Sequence, residues 1–429
     1  MDIREATASY ERWMGHYTRI VRPDLRFKHQ QMTQSVFSFL RATFYRWVQV
    51  WRAVIPTVAA APKVLAVGDL HIANFGTWRD FEGQLIWGIN DFDEAFRLPY
   101  TIDLVRLVAS AHLAIRDDHL GLRPRTASEA VLDGYQDALR EGGRPMVLGE
   151  SNNWLTRIAI NRLRDPVAFW GHLDSSHDFR RPVPQVVQRA VDAMLPAHGI
   201  VGRRKSRIAG LGSLGHERIL FLANWCGARI VREAKALVPS AAYWAQPLES
   251  DSGIGEPQAS GATGERTRAS RVPPVPSRRA EPRIGDATIV TGRAARLLKN
   301  DSLAHRKAAK VKRGDAGKAC IEYGAILRNA IRVPDPYVRA VDNWLIRRLA
   351  PDCSRIEIDS LSGKRDEDRL LYAMGWETAN IHLGSERDIA GVRRDLRGRP
   401  GNWLHHAAKE MVRAVKNDWR DWRSGTKNG

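Results

Sequence analysis

The sequence predicts an α+β protein built as two lobes, and three observations predict it. Strand-like apolar runs at 59–67 and 85–90 border short polar loops, a second set of such runs gathers around a glycine-rich turn at 210–215, and the stretches between and beyond carry apolar residues at helical spacing. With 429 residues the chain can bury a large core and divide into two or more lobes.

Residues 28–54 place Met32, Val36, Phe39, Leu40, Phe44 and Trp47 on one helical face, which predicts a single long amphipathic helix within an N-terminal helical segment, 1–62. Such aromatic stripes are core, and no chemistry is assigned to them. A strand over 59–67 then leads into Gly68-Asp69-Leu70-His71-Ile72-Ala73-Asn74, and a second over 85–90 leads into Ile89-Asn90-Asp91-Phe92-Asp93, so the two loops should lie at the ends of one short hairpin. Thr101 reads as the N-cap of an apolar helix over 104–115. The region 127–195 reads as helical, clearest at 127–139 and 184–195, and with the catalytic loops it makes a lobe spanning 63–199.

The character changes at Ser206. Strands are predicted at 207–209, 218–222 and 228–235, with Cys226-Gly227 turning the last two, which makes 200–246 a glycine-loop hairpin unit. Residues 247–293, rich in Ser, Gly, Pro and Arg, have too few large apolar side chains to fold and read as a flexible basic insert. Basic helices over 294–332 and strands at 337–349 and 354–358 complete that lobe, 294–360, and 361–429 is helical again, ending in a Trp-rich amphipathic segment.

Composition narrows the function classes. Lys and Arg number 67 against 48 Asp and Glu, a formal charge of +19, which favours anionic partners such as nucleotides, phosphorylated metabolites or nucleic acid. Solvated helix faces or a basic tether account for part of that surplus, which concentrates at 266–283, 299–318 and 387–399. The three cysteines, Cys226, Cys320 and Cys353, are too widely spaced for a metal knuckle. No basic-then-apolar leader opens the chain and no run reaches the roughly 18 apolar residues of a membrane span, so the expected location is cytoplasmic.

The two loops carry the chemistry. An acid (Asp69), an amide five residues on (Asn74) and a further acid (Asp91) converging from adjacent strand ends are what Mg-nucleotide phosphoryl transfer needs: one carboxylate to orient a hydroxyl, and an amide and a carboxylate to hold metal against phosphate. The alternative is a pair of Asp/Asn-rich turns that only cap strands. The GxGxxG at 210–215 opens a strand instead of a helix, which argues against a dinucleotide-binding turn although Glu233 stands near the expected acid position. A glycine loop between strands, with Lys235 on a third strand, fits a phosphate-covering hairpin in which Gly210, Gly212, Ser213 and Gly215 present backbone amides and Lys235 binds the α/β-phosphates. A surface hairpin with a solvated lysine is the alternative.

The quoted loops resemble the catalytic and metal-binding loops of aminoglycoside and choline phosphotransferases, in the protein-kinase-like superfamily. Together with Phe39-Leu40-Arg41 and INDFDEAFRLPYTIDLVRL, they resemble more closely an uncharacterised bacterial family catalogued as domain of unknown function 2252, over Lys28 to about Arg116 and more loosely at 201–240 and 344–385. The resemblance implies Asp69 as catalytic base, His71 as the motif histidine, Asn74 and Asp91 as metal ligands, and Asp93 as a second-metal ligand. It implies Mg2+ as the metal and ATP or GTP as co-substrate, with an unidentified small molecule as acceptor. Asp103 corresponds to a residue that braces the catalytic loop in the phosphotransferases; an acid in a first helical turn is the local reading of the same residue. Many of those enzymes carry a histidine two residues before the catalytic Asp, where this chain has Val67.

In ordinary kinases the glycine loop precedes the catalytic loop; here it follows by about 140 residues. The expectation is therefore a protein-kinase-like two-lobed fold, circularly permuted, in which an acid on a helix pairs with Lys235, Glu322 being the best candidate. A second function class is a nucleotide- or nucleic-acid-binding protein without turnover, in which Trp419-Arg420-Asp421-Trp422-Arg423 stacks bases. A metal hydrolase on Asp69, His71, Asp91 and Asp93 is disfavoured, because a single histidine stands in the cluster and Asn is a poor zinc ligand. His382 has no derivable role beyond core packing.

Overall fold

A computed structural model of the chain describes residues 1–117, 119–149, 152–160, 165–246, 318–353 and 364–425. The N-terminal segment is helical as expected, but the single helix over 28–54 is three: Arg22–Gln34, Val36–Ala42 and Phe44–Val54. Ser35 and Thr43 make the breaks. Ser35 is extended and its hydroxyl accepts the Ser38 amide at 3.0 Å, while the Thr43 hydroxyl donates to the Phe39 carbonyl at 2.7 Å. Hydroxyl side chains offer the backbone a local partner that competes with the helix. The apolar face survives the breaks, since Met32, Val36, Phe39, Leu40, Phe44 and Trp47 are all buried.

Strand β1 (Lys63–Ala66) starts four residues later than the sequence predicts, because Pro56–Ala59 forms a helical turn and Pro62 follows it. The hairpin expected between the strands at 59–67 and 85–90 does not form: β3 (Leu85–Ile89) pairs antiparallel with β2 (Phe75–Arg79), a strand that follows the first loop, and with β5 (Met146–Leu148), while β1 pairs with β4 (Phe96–Pro99). The next helix begins at Thr101 itself, running Thr101–Arg116; Thr101 does not cap it but donates its hydroxyl to the Val58 carbonyl at 2.8 Å.

Four helices, Thr101–Arg116, Pro124–Glu141, Lys364–Leu383 and Trp403–Gly425, supply much of the large core. The second and third of these cross at glycines. A Cβ at Gly134 would collide with the Tyr372 carbonyl, and one at Gly375 with the Val131 carbonyl, so the two backbones meet directly.

The remaining strands build one five-stranded antiparallel sheet: β6 (Arg203–Ser206), β7 (Arg218–Trp225), β8 (Ala228–Ala236), β9 (Val338–Val341) and β10 (Trp344–Arg348), in the order β6-β7-β8-β10-β9. The strand expected at 207–209 lies just before that stretch. Cys226 and Gly227, both at positive φ, make the tight β7–β8 turn that the right-handed twist of paired strands prefers. The single strand expected over 337–349 is split by Asp342, whose φ of 52° lets it turn the chain into a hairpin. Helix Lys318–Asn329 falls between β8 and β9 in sequence. The insert at 247–293, the basic stretch up to 317 and the strand expected at 354–358 lie outside the described residues.

Alternation sorts the sheet's two faces. Ile219, Phe221, Ala234, Ala236, Trp344 and Ile346 pack against Val187 and Val191 of the Gln185–Asp192 helix. The opposite face carries Arg218, Glu233, Lys235 and Arg347, linked by the pairings Arg218↔Lys235 and Arg347↔Glu233.

Candidate active site

The β2–β3 hairpin brings the two sequence motifs together. Asn74 ends a short 3-10 turn immediately before β2, Asn90 and Asp91 follow β3, and the Asn90 amide donates to the Asn74 carbonyl at 3.2 Å. Asp69, His71, Asn74, Asp91, Asp93 and Gly212 line one cavity of about 40 Å3.

Asp69 follows β1 through Gly68, whose φ of +86° and close approach to the Glu94 carbonyl admit no side chain. The loop is braced from below. Buried Asp103 accepts the Val67 amide at 2.7 Å and the Gly68 amide at 2.8 Å, and takes a third bond from His382 Nε2 at 2.9 Å. Because the carboxylate can only accept, Nε2 carries the proton, which leaves Nδ1 to accept the Tyr135 hydroxyl at 2.8 Å. The loop that lacks a histidine at Val67 is thus supported through a histidine from a helix 279 positions away from Asp103.

Arg106, one turn beyond Asp103 on the same helix, holds Asp69. Its Nε donates to Asp69 Oδ1 at 2.8 Å and a terminal nitrogen makes a second bond to the same oxygen, while that nitrogen also reaches the Leu40 carbonyl at 2.7 Å. The guanidinium lies 5.1 Å from the Phe44 ring and 4.9 Å from Trp47, and is fully buried. The second oxygen of Asp69 faces Gly212: a Cβ there would stand 3.2 Å from Asp69 Oδ2. Burial pushes the Asp69 carboxyl up to about 6, with Arg106 opposing. The sequence reading missed Arg106; its one visible sign was an arginine inside an otherwise apolar helix.

The side chains of His71 and Asn74 hold the backbone of this turn. Asn74 Oδ1 accepts the His71 amide at 2.8 Å, and His71 Nδ1 accepts the Ala73 amide at 3.2 Å. An amide oxygen has two lone pairs, so this bond leaves Asn74 able to coordinate. Lys235, 1% exposed on β8, binds Asp93 directly and stands 3.7 Å from Asp91. It does not pair with Glu322 as the sequence reading expected. Glu322 lies half-buried on helix Lys318–Asn329 beside a separate cavity that it shares with Arg97 and Asp388, and Asp93 takes the acid's place at the lysine.

Asp93 Oδ1 is buried without a hydrogen-bond partner. Burial and Asp91 raise the Asp93 pKa against the pull of Lys235. No three His, Cys, Asp or Glu side chains among the described residues form a metal-holding group by themselves. Asp91 and Asp93 offer two carboxylates, the number at which Mg2+ is completed by water and phosphate oxygens, and the unpartnered Oδ1 suits such an ion. Neighbouring Glu94 accepts the Ala241 amide at 2.6 Å, and burial pushes its carboxyl up to about 8.

The glycine turn covers this cluster and is tied down by the N-terminal helices. Gly210 and Gly215 take φ of +72° and +100°. Lys28 Nζ donates to the Gly212 carbonyl at 2.9 Å, the Val21 amide donates to the Gly215 carbonyl at 2.9 Å, and Arg218 donates to the Ser213 hydroxyl at 2.6 Å. Glu233, fully buried, is gripped by Arg207 at 2.7 Å, Arg218 at 3.1 Å and Arg347 at 2.7 Å. Burial alone would raise its pKa, but the three guanidiniums hold it well below the usual carboxylate range. At the C-terminus, Trp422 is buried with Arg4 5.0 Å from its ring, and Trp419 is covered by Arg423 at 4.7 Å, so these rings are used within the fold.

Residues 20–167 match the model of a bacterial family. Its description is an uncharacterized protein conserved in bacteria, DUF2252. The matched stretch contains Asp69, His71, Asn74, Asp91, Asp93, Asp103 and Arg106, while the glycine turn, Lys235 and His382 lie beyond it. No curated protein matches the chain. No solved structure matches it. No helix among the described residues is long and apolar enough to cross a membrane.

Proposed function

We propose that the protein is a Mg-dependent, nucleotide-using phosphotransferase of the protein-kinase-like kind, acting on a small molecule. The observation that carries this reading is the convergence of Asp69, Asn74, Asp91 and Asp93 on one cavity beneath a glycine turn, with Lys235 in reach of both later carboxylates. Asp69, anchored through Oδ1, would orient an acceptor hydroxyl with Oδ2 and take its proton; a carboxyl near 6 is ionised at neutral pH yet more basic than a free Asp. Asn74, Asp91 and Asp93 would hold the metal, which supplies neutralisation of phosphate charge. The amides of 210–215 and Lys235 would hold the nucleotide phosphates.

The layout of the five-stranded sheet supports a permuted kinase-like lobe. The glycine turn joins its first two strands, the lysine stands on the third, a helix separates the third from the fourth, and all of them follow the catalytic loop in the chain. Among the described residues Lys235 pairs with the loop acids Asp91 and Asp93 and not with an acid on a helix, which departs from that pattern. Thermal unfolding with ATP, GTP or neither, with and without Mg2+, tests the reading, because a ligand at 100 times its Kd adds about 2.7 kcal/mol. A Mg-dependent rise in Tm that Asp91→Ala abolishes is the expected result. No rise with either nucleotide at millimolar concentration would refute it.

A further inference from the structure

Between the five-stranded sheet and the β2–β3 hairpin lies a second cavity, of about 190 Å3, which meets the first at Asp91 and Gly210. That volume accommodates a ligand and not merely one or two waters. Five guanidiniums line it: Arg207, Arg218, Arg332, Arg347 and Arg348. Among the described residues only Asp91 and Asp335 line it as acids, while Glu233 lies behind Arg207, Arg218 and Arg347 and Glu377 acts on Arg332 from outside the lining, so in the lining cations outnumber acids. The excess is buried. Arg218 has a side chain 3% exposed, and the Nε atoms of Arg207, Arg218 and Arg332 have no hydrogen-bond partner. Burial lowers the pKa of Arg207 and of Arg332, as expected where a cation is short of partners. Buried donors of this kind call for an anion.

The geometry also discriminates between anions and flat bases. Three rings of this region are already stacked by arginine: Arg332 lies 4.7 Å from the Trp78 ring and 5.0 Å from Phe92, and Arg348 lies 4.3 Å from Tyr337. An uncharged base would leave the guanidinium donors unpaired. Arg207, Arg218 and Arg347 gather around Glu233, while Arg332, Arg348 and again Arg347 act on Asp335, so the cationic lining extends past one ion pair and suits a ligand with more than one anionic group. We propose that this cavity binds a chain of two or more phosphoryl groups, an assignment that rests on the phosphotransferase reading for the role of that chain as donor. The chain belongs either to a nucleoside polyphosphate or to inorganic polyphosphate.

The test is calorimetric titration of the full chain with sodium tripolyphosphate in EDTA, at fixed ionic strength, beside ATP, adenosine and sulfate. Saturable tripolyphosphate binding that is weakened about tenfold or more by Arg348→Gln and by Arg332→Gln, and that persists in Asp91→Ala, is the expected result. Arg348 is half-buried, so its variant remains informative if Arg332→Gln fails to fold. ATP binding much tighter than tripolyphosphate would assign the chain to a nucleotide, and equal binding would assign it to inorganic polyphosphate. Binding no stronger than that of sulfate, binding indifferent to both arginine variants, or saturable binding of adenosine alone would overturn the proposal. Binding in EDTA, without Mg2+, separates this site from the metal site even though Asp91 borders both, so either can fail without the other.

Discussion

Replacing Asp103 with Asn should loosen the Asp69 loop while leaving side-chain volume unchanged. The carboxylate is 0% exposed and accepts three bonds: Gly68 N at Oδ1, and Val67 N with His382 Nε2 at Oδ2. An amide can accept at only one of these positions. The cheaper orientation sets the new NH2 against the Gly68 amide, losing one charge-assisted bond, worth about 1.5–3 kcal/mol, and leaving a buried donor unpaired. The remaining two bonds lose their charge. A destabilisation of about 3 kcal/mol follows, read as a lower unfolding free energy in urea by tryptophan fluorescence. Asp388→Asn is the control, because its partner Arg97 is 56% exposed and a surface pair is worth about 1 kcal/mol or less. An Asp103→Asn protein within about 0.5 kcal/mol of the wild type would refute the claim that this carboxylate holds the loop.

Two further predictions concern charge and packing. Burial pushes Glu94 up to about 8, against an ordinary value of 4.5, so the folded chain keeps a proton that the unfolded chain releases, and stability falls as pH rises from about 4.5 to about 8. Glu94→Gln can still accept the Ala241 amide but has no proton to lose, so relative to wild type it should gain on the order of 4 kcal/mol between pH 5 and pH 9; parallel pH profiles would count against this. Gly375→Ala drives a Cβ into the Val131 carbonyl where the Pro124–Glu141 and Lys364–Leu383 helices cross, and should cost about 3 kcal/mol in urea unfolding, the upper part of the overpacking range, because backbone cannot swing aside. A loss below about 0.5 kcal/mol would mean that the two helices part freely.

The two loops were legible because their signals are local, but the hairpin was read with the wrong first strand, since 63–66 pairs with 96–99 and 75–79 takes its place beside β3. Apolar runs, turn residues and the spacing of Asp69, Asn74 and Asp91 all lie within one short stretch of chain, and so do the glycine turn and the strand that carries Lys235. Helix breaks were less legible. The stripe from Met32 to Trp47 kept its helical period straight through Ser35 and Thr43, because hydroxyl capping changes the backbone without disturbing the pattern of burial. The partner of Lys235 was misplaced for a different reason: Asp93 and Glu322 are equally acidic in sequence, and only the packing of the sheet over the hairpin decides which one is near.

The sequence alone determined the α+β character, the two loops that carry the acidic cluster, and the glycine turn between strands. The tertiary structure decided what holds these in place: Arg106 on Asp69, His382 and Tyr135 behind Asp103, and three arginines around Glu233. Period and turn chemistry are properties of neighbouring residues, and they leave their mark in the order of the chain. A buried charge must find its partner wherever folding brings one, here from elements as far apart as Asp103 and His382, and no local pattern records that meeting.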